Sequence, residues 1–329
     1  MHSSSSRPQI SSLAHPLNTG RYILTTQIIK SLAEVFNTWL SSRVTGAMVV
    51  GSQRLGKTRA IEYMKCQIKG NYPKLTIINI PCRYELRPSE SAFFTHILEC
   101  SNNAIKINRR VATYILRHRL HEYLRTCSEE SGYPMIIFIL DDAQYLGEWQ
   151  YLMLMNIYNE LSKSGIHLGC YLFGQYELSE RKSAFQNGEK KHLISRFMTH
   201  EFKFSGLLSA EDVRFSLAGY DNGEFPRESG WTYTRYYFPE AYDAGWRAES
   251  MSEDIWAAFM TVMRKLTNRG EDEIPMEYFT RTIEWIFQSN EFRLLHVEPF
   301  SQSEMIKAIE CSGFVAYRDS VFGQIKAKR

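Results

Sequence analysis

Gly46-Ala-Met-Val-Val-Gly-Ser-Gln-Arg-Leu-Gly-Lys-Thr58 is an apolar run that breaks into a glycine-bracketed loop and ends in Lys-Thr. It carries the full G-x-x-x-x-G-K-[ST] spacing between a predicted strand and a predicted helix, which is the signature of a phosphate-binding loop. The residue types explain the chemistry. Gly51 and Gly56 free the backbone to turn its N–H groups toward an anion, and a helix starting near Lys57 points the positive end of its dipole at the same place. Lys57 is the expected partner of β- and γ-phosphates, while the small, hard hydroxyl of Thr58 suits the Mg²⁺ that bridges them. A nucleotide is therefore expected against Gly51, Ser52, Gln53, Arg54, Leu55, Gly56, Lys57, Thr58 and Arg59. The expected cofactors are ATP and Mg²⁺.

A second apolar run, Met135-Ile-Ile-Phe-Ile-Leu140, ends in Asp141-Asp-Ala-Gln144. It reads as a buried parallel strand whose carboxylates fall in the crevice at the carboxyl end of the sheet, beside the phosphate loop if the two strands are neighbours. Asp141 is the expected Mg²⁺ ligand with Thr58; the plainer alternative is a helix cap. Asp142 stands where many ATPases carry a Glu that deprotonates the attacking water, and one methylene less of reach implies slow turnover.

Between and beyond these runs, strand and helix signals alternate. Five strands are predicted at 46–50, 75–82, 134–142, 167–174 and 200–205, with helices at about 26–40, 62–69, 91–101, 104–125, 149–164 and 190–197. An α/β fold follows, a five-stranded parallel sheet flanked by helices. From 209 onward the signals are helical, at about 209–219, 251–268, 275–289 and 302–312. The expected organisation is a flexible N-terminal segment at 1–20, a nucleotide-binding α/β domain at 21–207 and a smaller C-terminal helical lid at 208–329. Residues 220–249 are rich in Gly and aromatics, including Trp231, Tyr233, Tyr236, Tyr237, Phe238, Tyr242 and Trp246. They read as an insertion, either packing its own rings or docking a partner.

Two more positions extend the site. The 167–174 strand leads into Gln175, a polar side chain able to orient a water or read a γ-phosphate. Arg196 closes the helix before the last strand, where a planar guanidinium suits a neighbouring subunit's transition-state charge, unless it serves only a surface salt bridge.

Composition constrains the rest. The chain has 329 residues, 44% of them hydrophobic, enough for two lobes with their own cores. Six cysteines lack any C-x-x-C spacing, so neither a zinc site nor a disulfide framework is expected. No leader pattern is visible at the N-terminus and no apolar run reaches the roughly 18 residues needed to span a bilayer. The expectation is a cytoplasmic protein with no membrane partner.

Net charge is only +3, but residues 102–126 hold six basic residues against the single acid Glu122. On one continuous helix, Lys106, Arg109, Arg110, Thr113 and Arg117 share a face, opposite Ile107, Val111, Tyr114 and Ile115. Such a stripe suits the phosphates of double-stranded DNA; the plainer reading is a solvated helix face.

Taken together, Gly51-Ser-Gln-Arg-Leu-Gly-Lys-Thr58, Leu140-Asp-Asp-Ala-Gln144, Leu172-Phe-Gly-Gln-Tyr-Glu-Leu178 and Ser195-Arg-Phe197 resemble the AAA+ ATPases, and within them the TnsC/TniB group of transposition regulators. The resemblance covers residues 46–205. It departs at Asp142, where the group often has Glu, and in the 220–249 insertion, which has no counterpart in its pattern. It implies self-assembly into a ring or filament on double-stranded DNA, docking of a TniQ-type target-selection protein, recruitment of transposase subunits, and in some systems a CRISPR-associated targeting complex. Two other classes stay open: an ATP-bound structural adaptor with little hydrolysis, and a P-loop signalling ATPase that needs no DNA.

Overall fold

The central strands are nearly continuous runs of Val, Ile, Leu and Phe because the sheet is covered on both faces. The computed structural model describes residues 7–11, 14–101, 111–266, 273–289 and 300–322. Five strands, β1 (Gly46–Val50), β2 (Thr76–Pro81), β3 (Met135–Asp141), β4 (His167–Gly174) and β5 (His200–Lys203), form one sheet in the order β2-β3-β4-β1-β5. Every pairing is parallel. β1 is buried throughout, as are β3 and β4 after their first residues, whereas the edge strand β5 is largely exposed.

The chain divides into two units, one of Ser31–Gln53 with Lys57–Phe204, the other of Met1–Lys30 with Arg54–Gly56 and Ser205–Arg329. A first helix, α1 (Pro16–Thr19), precedes α2 (Gln27–Ser41). In the α/β unit the crossovers are α3 (Lys57–Asn71), α4 (Glu90–Ser101), α5 (Thr113–Ser131), α6 (Glu148–Lys163), α7 (Glu177–Asn187) and α8 (Lys191–Phe197). Its core runs through Ile80, Phe94, Leu120, Phe138, Leu154 and Phe197, all essentially inaccessible. On α2, Phe36 and Trp39 close on the Tyr171 ring of β4, at 4.4 Å and 6.0 Å between centroids.

β4 lies between β1, which leads into the phosphate loop, and β3, which ends in Asp141, so Gln175 follows the strand that separates them. One expectation changes here. The predicted helix through 104–125 is not continuous: Ala112 is extended (φ −65°, ψ 143°) and α5 starts at Thr113. Apolar periodicity crosses that position, but the extended N-cap makes Thr113 the first residue of α5, with Arg117 one turn on. Lys106, Arg109 and Arg110 lie outside the described residues.

The helical unit contains α9 (Ala210–Asn222), α10 (Tyr233–Tyr237), α11 (Pro239–Asp243), α12 (Ser252–Leu266), α13 (Met276–Ser289), α14 (Gln302–Cys311) and α15 (Phe314–Phe322). Its own core gathers Tyr220, Phe259, Phe279, Ile283, Phe287 and Phe314. The 220–249 insertion folds into this core. Trp231, Tyr236 and Tyr237 are buried, and Tyr233, Phe238, Tyr242 and Trp246 are partly so. Residues near the N-terminus also join it. His15 and Leu17 are buried, and the His15 ring stacks on Tyr236 at 4.5 Å. An apolar contact surface made by the distant insertion is what orders them, and nothing local in the sequence signals it.

Candidate active site

The loop after β1 turns back on itself into α3. Its left-handed residues are Arg54 (φ 66°) and Gly56 (φ 100°), while Gly51 is not among them. Gly56 has ample room for a Cβ, so its requirement is conformational. Gly51 N–H instead donates to the Gly174 carbonyl at 3.2 Å, tying the loop to the end of β4. Leu55 is buried.

Lys57 opens α3 and is itself buried. Its Nζ donates to the carbonyls of Gly51 (2.7 Å) and Ser52 (2.6 Å), so the ammonium sits inside the loop that it would serve. Beside it, Thr58 Oγ1 donates to Asp141 Oδ2 at 2.9 Å across the intervening strand. Asp141 does not cap a helix. Its second oxygen accepts the Asp142 N–H at 3.1 Å, and burial pushes its carboxyl above the usual range against the opposing pull of Thr58 and Lys57. Two hard oxygens within hydrogen-bond distance, with a cation nearby, fit a Mg²⁺ whose other ligands are phosphate and water. Among the described residues, no cluster of three or more His, Cys, Asp or Glu suggests any other metal.

Asp142 is left-handed (φ 55°, ψ 39°), opening a single 3-10 turn. Its Oδ1 accepts from Gln144 Nε2 at 3.0 Å, and Gln144 Oε1 accepts the Gln175 backbone N–H at 3.2 Å. Sequence reasoning does not reach Gln144, because its role depends on β3 and β4 lying side by side. The Gln175 side chain lines a cleft of about 390 Å³ with Tyr84, Glu85, Tyr145, Gln150 and Arg181.

The remaining positions lie apart. Arg54 groups with the helical unit, where its carbonyl accepts the Glu277 N–H (3.1 Å) and its guanidinium pairs with the Glu277 carboxylate (3.3 Å). Arg59 is exposed on α3 and paired with Glu62 at 2.8 Å. Arg196 ends α8; its carbonyl accepts from Thr45 Oγ1 (2.9 Å) and its guanidinium lies 4.0 Å from the centre of the Tyr158 ring. Thr45 precedes β1 and the phosphate loop follows it, which separates Arg196 from its own loop by about 20 Å of strand. Arg117 is bound to Glu90 through both Nε and Nη2.

No family model and no curated protein matches the chain. Among solved structures, the ORC2 protein of Aeropyrum pernix, in ADPNP–ADP complexes, superposes with a TM-score of 0.58 at 13% identity, covering 91% of this chain and 71% of that one. Weaker likenesses are to Cdc6p of Pyrobaculum aerophilum (TM-score 0.46, 14% identity, 99% and 88% covered) and to domain III of the replication initiator DnaA of Thermotoga maritima (TM-score 0.45, 14% identity, 88% and 94% covered). The strand order, the phosphate loop after β1, the acidic end of β3 and the likeness to ORC2 together identify the fold as that of the AAA+ P-loop ATPases, with a C-terminal helical region.

Proposed function

We propose that this chain is an ATP-dependent AAA+ switch that assembles on double-stranded DNA and regulates transposition. The observation that carries the nucleotide reading is the Thr58–Asp141 contact, in which the first turn of α3 meets the end of β3 although β4 separates β1 from β3. In this reading Lys57 binds β- and γ-phosphates, Thr58 and Asp141 hold Mg²⁺, and Gln175 orients the attacking water. Asp142 takes the proton of that water. Arg196, remote from its own phosphate loop, serves the γ-phosphate of the next subunit. Lys106, Arg109 and Arg110, together with Thr113 and Arg117, are proposed to meet DNA phosphates. The assembled, ATP-loaded form would receive a TniQ-type protein and transposase subunits, as the resemblance to the TnsC/TniB group implies. The fold likeness to ORC2, itself solved with ADPNP and ADP, supports the nucleotide part.

A second reading has an observation of its own. Asp142 is one methylene shorter than the Glu that many ATPases carry there, which favours an ATP-bound adaptor that barely turns over. Hydrolysis of MgATP measured with and without duplex DNA decides between them. DNA-stimulated turnover supports the switch, DNA-bound assembly without turnover supports the adaptor, and a chain that ignores both ligands refutes both. A strand-transfer assay with transposase and TniQ-type protein tests the transposition role, which fails if omission of this chain changes nothing.

A further inference from the structure

Beyond their last paired residues, β3 and β4 are bridged by the side-chain amide of Gln144, which bonds to Asp142 and to Gln175. Gln144 is buried, and its orientation is imposed: the Gln175 N–H requires the amide oxygen, which leaves the NH₂ facing the Asp142 carboxylate. Arg181 Nη2 reaches the Gln144 carbonyl at 3.5 Å from α7. Room for the side chain is kept by Gly174, where a Cβ would stand 2.8 Å from Gln144 Oε1. Asp142 meanwhile occupies the left-handed region, a conformation that a non-glycine residue holds only when its surroundings enforce it. No other side chain bonds to the Asp142 carboxylate among the described residues.

We propose that Gln144 is a positioning residue for hydrolysis, acting through Asp142. It fixes Oδ1 against the end of β4 and leaves Oδ2 to accept the proton of the attacking water. In that step the water oxygen bonds to the γ-phosphorus, and the bond to the β–γ bridging oxygen breaks with its electron pair leaving on ADP. The water proton passes to Asp142. Because the same amide holds the Gln175 backbone, the base is aligned with the strand that presents Gln175 rather than with the 3-10 turn alone. A Glu at 144 would keep the acceptor for Gln175 N–H but set oxygen against oxygen at Asp142, so the two contacts can be separated experimentally. This inference rests on the hydrolytic reading above.

The test uses the full chain with MgATP and duplex DNA, comparing wild type, Gln144→Glu, Asp142→Ala and the double variant. For Gln144→Glu, kcat should fall about tenfold or more while KM, melting temperature and hydrogen-exchange protection of the Gln175 amide hold. In the Asp142→Ala background the same substitution should leave the residual rate within about twofold, since the group it acts through is gone. Gln144→Met, which removes both contacts at similar volume, should lose rate and Gln175 protection together, and serves if the Glu variant does not fold. Wild-type kcat in either Gln144 variant, or an undiminished effect of Gln144→Glu without Asp142, overturns the proposal. A wild-type chain that binds MgATP without turnover sinks the hydrolytic reading and this inference with it; a hydrolysing wild type with an indifferent Gln144→Glu sinks the inference alone.

Discussion

Lys57, Thr58 and Asp141 are legible in the sequence because each belongs to a contiguous string whose chemistry needs little tertiary context. Gln144 is not, since its hydrogen bonds run to a backbone group on another strand. The roles assigned to these side chains lead to separable outcomes. Lys57→Ala removes the ammonium inside the loop, and nucleotide affinity should fall about 10- to 100-fold, the worth of a hydrogen bond to a charged group. Titration with a fluorescent ATP analogue measures it, and unchanged affinity would remove Lys57 from phosphate binding. Asp142→Ala should behave differently. Hydrolysis should drop by about 10²-fold or more while nucleotide affinity is kept, as expected for a general base that is not a ligand. A variant that no longer binds MgATP would make Asp142 a ligand instead.

The elements read best from sequence are those whose burial is complete. β1 and β4 are predicted to the residue, because strands covered on both faces are continuous apolar runs with sharp polar ends. Periodicity misses α7: among Glu177–Asn187 only Leu178 and Phe185 are buried, too few to establish a helical period. It misplaces the start of α5 for the opposite reason, because apolar spacing continues through the extended Ala112. Contacts between elements also explain Gly46. A Cβ there would lie 2.6 Å from Phe197 Cα and 2.7 Å from the Arg196 carbonyl, so α8 lies against β1 only because position 46 has no side chain. Gly46→Ala should destabilise the chain by about 1–3 kcal/mol, seen as a lower melting temperature, unless α8 packs elsewhere. Removing the charges of Lys106, Arg109 and Arg110 together should flatten the slope of log affinity for duplex DNA against log salt by about 2.7, at roughly 0.9 for each phosphate no longer neutralised. An unchanged slope would exclude this segment from the DNA interface.

At the scale of the whole chain, the aromatic insertion turns out to be core, and it orders residues near the N-terminus around His15. Burial, helped by the Arg7 charge, lowers the His15 pKa from the ordinary 6.5 to about 4. As pH falls, the unfolded chain therefore takes up the proton before the folded one. The stability this site contributes is complete above pH 6.5 and is lost between there and about pH 4. A His15→Phe variant should show a shallower decline in melting temperature over that interval, and an identical decline would acquit His15. No helix among the described residues is long and apolar enough to cross a membrane. The proposed function makes its large-scale prediction in assembly. The most direct measurement is electron microscopy, with parallel sedimentation, of the chain mixed with duplex DNA at low ionic strength, with and without a non-hydrolysable MgATP analogue. Ordered oligomers on DNA should form only with the nucleotide and not with Lys57→Ala. Single copies under every condition, or assemblies indifferent to nucleotide, would contradict the switch.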